Sequence, residues 1–235
     1  MDNNSEKLQK FISAAGLMSR RRAEEAIEKG LFKINGKVAK LGDRVTDLDR
    51  VTYQNKPLRK ANKMIYLLFN KPKYVVSTLN DPQNRKTIKD FLLLKQYVYP
   101  VGRLDYDTTG ALLITNDGDL TNKLLHPSHE IERVYVATLD RALTNEELKF
   151  LNSDNVFIDG QRSLQVVESI QDKEYRIKLK EGRYHHVKNL FLEANAKVIQ
   201  LHRSHFAFLG VKGIKEGKMR DLTYSEVKRL KEMIK

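Results

Sequence analysis

Residues 100–118 read Pro100-Val-Gly-Arg-Leu-Asp-Tyr-Asp-Thr-Thr-Gly-Ala-Leu-Leu-Ile-Thr-Asn-Asp-Gly118. The apolar run Ala111–Thr115 predicts a strand, a second strand ends near Val101, and between them Gly102–Gly110 gathers two carboxylates, an arginine, two threonines and two glycines. Flanking strands can hold a carboxylate rigidly while glycines let the backbone approach a ligand. The same composition also suits a turn that satisfies its own backbone. As chemistry, Asp105-x-Asp107-x-Thr109 matches the form of an aspartyl-phosphate loop, in which the first Asp attacks phosphorus beside magnesium. Against that stands the lead-in Pro100-Val-Gly-Arg-Leu104, which puts a glycine and an arginine where a phosphatase has a continuous apolar strand.

Outward from this loop, short β-like runs recur at Met64–Phe69, Val75–Thr78, Val134–Leu139, Gln165–Ile170, Tyr175–Leu179 and Lys197–His202. Thr144 with Glu147, and Thr223 with Glu226, are capping boxes that open helices between and after them. The pattern is α+β with a mainly antiparallel mixed sheet flanked by helices. Toward the N-terminus it changes. Leu8, Phe11, Ile12 and Ala15 recur at helical spacing, Gly16 stops that helix, and Ser19 caps a second one ending at Gly30. Phe32–Val38 then alternates about Asn35-Gly36, a two-residue hairpin signal. The polar, basic stretch Gln54–Lys63 around Pro57 reads as a linker, giving a small helix-rich domain over 1–61 and a larger one over 62–235.

Composition narrows the function. With 43 Lys+Arg against 30 Asp+Glu the net charge is +13, which favours a polyanionic partner, and the first 60 residues carry 14 of those bases against 8 acids. A membrane surface is disfavoured by the lack of any tryptophan. MDNNSEKLQK lacks the order of a signal peptide and no apolar run could span a bilayer, so a cytosolic protein is expected. The absence of cysteine removes thiolate zinc sites, zinc nucleobase deaminases and Cys nucleophiles. None of the twelve glycines forms G-x-G, so neither a dinucleotide fingerprint nor a P-loop can be drawn. The six histidines are scattered and demand no metal.

Arg20, Arg21 and Arg22 occupy the first turn of the second helix, where cations oppose the helix dipole, and Lys33 and Lys37 follow on the hairpin. Such a cluster suits phosphate better than it suits the helix. Glu6–Gly30 followed by Ile34-Asn-Gly-Lys37 resembles the small RNA-binding domain named for ribosomal small-subunit protein four. That resemblance implies an RNA-binding set of Lys10, Ser19, Arg20, Arg21, Arg22, Lys33, Asn35, Gly36 and Lys37.

The segment Gly102–Gly118 in turn resembles the catalytic motif of the RsuA-like pseudouridine synthases. Asn70-Lys-Pro72, Arg133-Val-Tyr-Val136, Glu181-Gly-Arg-Tyr-His-His-Val-Lys188, Leu201-His-Arg203 and Gly217–Leu222 resemble the rest of that family's pattern. The resemblance implies isomerisation of a uridine in ribosomal RNA, without cofactor or metal, by a chain that needs no second copy. It implies Asp105 as the essential carboxylate and Lys188 as the cation paired with it. Tyr135 would be the face that receives the flipped base, at a gain of ~1–3 kcal/mol. Arg103 would aid flipping, Leu190 would give an apolar wall, and Arg183 and His185 would contact RNA. Where relatives read His-Gln-Val-Lys/Arg-Arg-Met, this chain has His185-His186-Val-Lys-Asn189-Leu190, losing a glutamine and a base. The segment Glu181–His185 looks closer to small-subunit enzymes, so small-subunit RNA is the expected target. A ribosome-binding protein with a silent loop and a magnesium-dependent phosphatase are the rival readings.

Overall fold

In the computed structural model, residues 5–60, 63–94 and 96–235 are described. They fall into two compact units, one of Met1–Ile65 with Leu93–Tyr99 and Thr115–Gly118, the other of Tyr66–Leu92, Pro100–Ile114 and Asp119–Lys235. The expected boundary at residue 61 lies outside the described residues.

In the first unit, helices α1 (Leu8–Ala14) and α2 (Arg20–Glu28) bury the residues that their spacing brings to one face. Leu8, Phe11, Ile12, Ala23, Ala26 and Ile27 pack with Phe32, Val45 and Val51. Gly16 takes a φ of +73°, and the Ser19 hydroxyl accepts the Arg22 N–H at 3.3 Å, so stop and cap are where the sequence puts them. Strands β1 (Phe32–Ile34), β2 (Lys37–Val38), β3 (Val51–Tyr53) and β4 (Lys56–Pro57) form a sheet in the order β2-β1-β3-β4. Asn35 and Gly36 both have positive φ, 51° and 86°, as a two-residue turn of this hand requires. The linker expected from Gln54 onward begins later. Gln54 and Asn55 are the turn of a second hairpin, and Pro57 sits on the edge strand, where its missing N–H costs no ladder bond.

The second unit is built on a sheet of β5 (Tyr66–Lys71), β6 (Thr109–Thr115), β7 (Arg133–Leu139), β8 (Gln165–Gln171), β9 (Glu174–Leu179), β10 (Val198–Phe206) and β11 (Met219–Asp221). The order is β8-β9-β7-β10-β6-β5-β11. Short strands Tyr99–Pro100 and Leu209–Gly210 pair with β6 and β10. Every residue of β6 is buried, which is why it reads as an unbroken apolar run, whereas β7 alternates buried with half-buried. Helices α3 (Gly118–Leu125), α4 (Asn145–Leu151), α5 (His186–Leu192) and α6 (Tyr224–Glu232) complete the chain, and both expected capping boxes form, on α4 and α6. Leu68, Val101, Leu113, Leu120, Leu124, Phe206 and Leu230 belong to one core. Among the described residues no helix is long and apolar enough to cross a membrane.

Two features of this sheet place the loop at 102–110. β10 meets β6 in parallel through His202–Thr109 and Arg203–Gly110. Gly110 has a φ of +110°, and a Cβ there would lie 2.2 Å from the Arg203 carbonyl oxygen, so only glycine admits this approach. The strand expected over Val75–Thr78 does not form. Tyr74 has a φ of +62°, Val76 makes only an isolated bridge to Thr87, and the segment becomes a brace for the loop.

Candidate active site

The brace works through Ser77. Its buried hydroxyl donates to the Leu104 carbonyl at 2.7 Å and accepts the Leu104 N–H at 3.0 Å, fixing both backbone groups of the residue before Asp105. Val101 and Leu104 are both buried, and the Thr108 N–H closes a turn on the Asp105 carbonyl at 3.1 Å. The Asp105 side chain thereby lines a small cavity, about 60 Å³ and open to solvent, shared with Arg103, Tyr135, Glu181, His185 and His186. Leu104, Leu179, Val187 and Leu201 form its apolar wall. Leu190, expected in that wall, is fully buried within α5 and does not line the cavity.

The partners of this carboxylate come from the start of α5. His185 precedes it in a left-handed conformation, and Lys188 lies three residues on, so both side chains reach the same carboxylate. His185 Nε2 is 3.6 Å from Asp105 Oδ1 and Lys188 Nζ is 3.5 Å from Asp105 Oδ2. The closer partner of Lys188 is Asp107, which accepts from Nζ at 2.7 and 2.9 Å. The expected Lys188–Asp105 pair is therefore one edge of a triangle, and the direct hydrogen bonds belong to its other acid. Burial pushes the Asp107 carboxyl up, but the Lys188 hydrogen bonds and charge more than offset this and hold it below the ordinary range.

A further cation lies beneath. Lys71, at the end of β5, is fully buried, donating to the carbonyls of Pro72 at 3.0 Å and Val75 at 2.9 Å. Burial lowers it to about 8, with the charges of Asp107 and Asp105 acting the other way. Arg203 is also buried, its Nε donating to the Ala111 carbonyl at 2.7 Å. Neither Ser77, Lys71 nor Arg203 stood out in the sequence as a site residue.

His186 shows how the site resolves its departure from the family pattern. Gln165 Nε2 donates to the Leu151 carbonyl at 2.5 Å, which turns its Oε1 toward Ser163 to accept that hydroxyl at 2.5 Å. The Ser163 hydrogen is thus committed, and its 2.7 Å contact with His186 Nε2 must be donated by the imidazole. Burial drives His186 down to about 4, so it stands neutral at pH 7.

The remaining expected contacts are less uniform. Arg103 is exposed at the cavity rim, but the Arg183 guanidinium turns inward, donating to the carbonyls of Ile158 (2.8 Å), Gln161 (3.1 Å) and Arg162 (2.9 Å) and to Glu181 (2.5 Å). In the first unit Arg20, Arg21, Arg22, Gly36 and Lys37 are exposed, and Lys10 is half-buried. Lys33 donates to Asn55 at 3.1 Å, Ser19 caps α2, and the Asn35 amide is held between Asp49 (2.7 Å) and the Arg50 N–H (2.9 Å). Among the described residues no group of three or more His, Cys, Asp or Glu could hold a metal ion.

A family model for RNA pseudouridylate synthase matches residues 65–193, the span that contains this cavity. The chain belongs to that family. Residues 6–51 of the synthase match the S4 domain. It is 39% identical over 234 residues to the ribosomal large subunit pseudouridine synthase B of Bacillus subtilis, covering 96% of each chain. It is 32% identical to the dual-specificity RNA pseudouridine synthase RluF of Escherichia coli K12, over 97% of this chain and 79% of that one. A crystal structure of a pseudouridylate synthase superposes with a TM-score of 0.69 at 29% identity, covering 95% of this chain and 99% of that one. The synthase is accordingly an isomerase by family, and the phosphatase reading falls.

Proposed function

We propose that the synthase isomerises a uridine of ribosomal RNA to pseudouridine, with Asp105 as the reacting carboxylate. Between substrate and product the C1′–N1 bond breaks, a C1′–C5 bond forms, C5 gives up a proton and N1 gains one, so atoms and charge balance without an added reactant. The observation that carries the reading is the Asp105 carboxylate inside a cavity that also holds Tyr135, with Lys188 at 3.5 Å. An extruded uracil would meet the ring of Tyr135 and the apolar wall while Asp105 attacks the sugar or removes a sugar proton. Lys188 Nζ faces both acids, 3.5 Å from Asp105 and 2.7 Å from Asp107, and so places a positive charge beside the reacting carboxylate.

Large-subunit RNA is the better-supported target, because the Bacillus subtilis relative at 39% identity is named for it. The expectation of small-subunit RNA rested on Glu181–His185, and none of the relatives described above is named for that subunit. Part of that segment serves the fold, since Arg183 ties down a neighbouring hairpin. Mapping pseudouridines in both ribosomal RNAs with and without the gene tests reaction and target together. Loss of one large-subunit site upholds both, loss of a small-subunit site overturns the target, and an unchanged map overturns the function.

A further inference from the structure

A single exposed tyrosine needs no explanation, but Asp105 has two aromatic pairs for neighbours, one through the chain and one through His185. Tyr106 follows Asp105 in the chain and packs against Tyr74 with ring centroids 5.6 Å apart and the two planes tilted by 57°, so that each ring keeps a face of its own. Tyr74 is 63% exposed and Tyr106 41%. The second pair is Tyr184 and His185, whose rings lie 3.9 Å apart and nearly parallel, with Tyr184 70% exposed. His185 is the residue whose Nε2 reaches Asp105 at 3.6 Å.

Both pairs are held in place. Tyr74 adopts a left-handed φ of +62°, unfavourable for a residue with a ring, and its N–H donates to the Tyr106 carbonyl at 2.6 Å. Arg85 lies 5.7 Å from the Tyr106 ring centroid, its guanidinium fixed by Asp81 at 2.7 and 3.1 Å. His185 is likewise left-handed at the start of α5. The fold thus holds left-handed backbone at two places that present exposed tyrosine rings, with a fixed cation beside one pair. Flat rings beside cations suit bases that have left their stack, whereas a paired duplex offers only phosphates and groove edges.

We propose that Tyr74–Tyr106 and Tyr184–His185 are stacking platforms for the unpaired nucleotides flanking the target, so that the synthase acts on a loop or opened strand. The inference rests on the RNA-modifying function proposed above and adds the form of RNA the site accepts. The test is binding of fluorescein-labelled decauridine to the full chain in about 0.3 M salt, where phosphate contacts are screened. Decauridine annealed to decaadenosine serves as the paired control. Tyr184→Ala and Tyr74→Ala should each weaken decauridine binding by about 5- to 150-fold, Tyr184→Phe and Tyr74→Phe should retain it, and the duplex should bind all variants alike. Unchanged decauridine binding by both alanine variants, or an equal loss on the duplex, would overturn the platforms. The two ideas fail separately. Platforms without effect beside intact pseudouridine formation would sink only this inference, whereas tyrosine-dependent binding with no pseudouridine formed would uphold it and sink the function.

Discussion

Replacing His186 by Gln should remove a pH dependence that the wild-type fold carries. His186 is 5% exposed and falls to about 4 against an ordinary value of 6.5, with burial as the main cause. As pH drops below 6.5 the unfolded chain takes up a proton at this position while the folded chain refuses it down to about 4. The unfolded state then binds more protons, so stability is complete above 6.5 and is lost as pH falls through that window. At about 1.4 kcal/mol per pH unit, the interval caps the loss near ~3 kcal/mol, a sizeable part of the ~5–15 kcal/mol of an ordinary domain. Gln does not titrate, and its amide can still donate to Ser163. Urea unfolding of both proteins between pH 4 and 7 reads the effect. The His186→Gln variant should match wild type at pH 7 and gain on it by up to ~3 kcal/mol toward pH 4. His202, which burial also lowers, is present in both proteins and cancels from the difference. A difference that stays flat across the range would show that His186 is not held neutral by the fold.

Other substitutions probe the supports of the site. Gly110→Ala sets a methyl against the Arg203 backbone at a φ of +110° and should cost more than ~4 kcal/mol, seen as lost soluble protein; Gly160→Ala, with nothing within 4 Å, should cost only ~1 kcal/mol in the urea midpoint. Ser77→Ala strips both backbone groups of Leu104 of a partner, at ~1–3 kcal/mol each, and should lower single-turnover rate more than RNA affinity because Asp105 follows directly. Asp107→Asn removes the closer acid from Lys188; because Asp107 is exposed, the energy at stake is about 1 kcal/mol, and turnover should change by about 5-fold with RNA binding unmoved.

Much of this was legible where local pattern and tertiary fate agree. The unbroken apolar β6, the alternating β7, the capping boxes and the Asn35-Gly36 turn formed as read, because each answers to periodicity or turn chemistry within a few residues. Val75–Thr78 was misread because its propensity for strand is overridden by Tyr74, and Met219–Asp221 was passed over as a short polar edge strand. At the site, the family resemblance grouped Asp105, Tyr135 and Lys188 but could not say which of two acids, two residues apart, the lysine would bond, and it gave His185 to RNA where the structure sets it 3.6 Å from Asp105. Ser77 lies 27 residues from the carbonyl it holds, and Lys71 and Arg203 are cations that burial makes unusual; no local spacing announces either fact. Leu190 was placed one layer too far out, since helical spacing gives the face but not the depth.

One experiment bears on the whole proposal: Asp105→Asn, an isosteric loss of charge, assayed for pseudouridine in ribosomal RNA beside wild type. Pseudouridine should fall to background while RNA affinity stays within about 2-fold, since phosphate and stacking contacts supply the binding. Substantial pseudouridine formation by the variant would take the reaction away from Asp105.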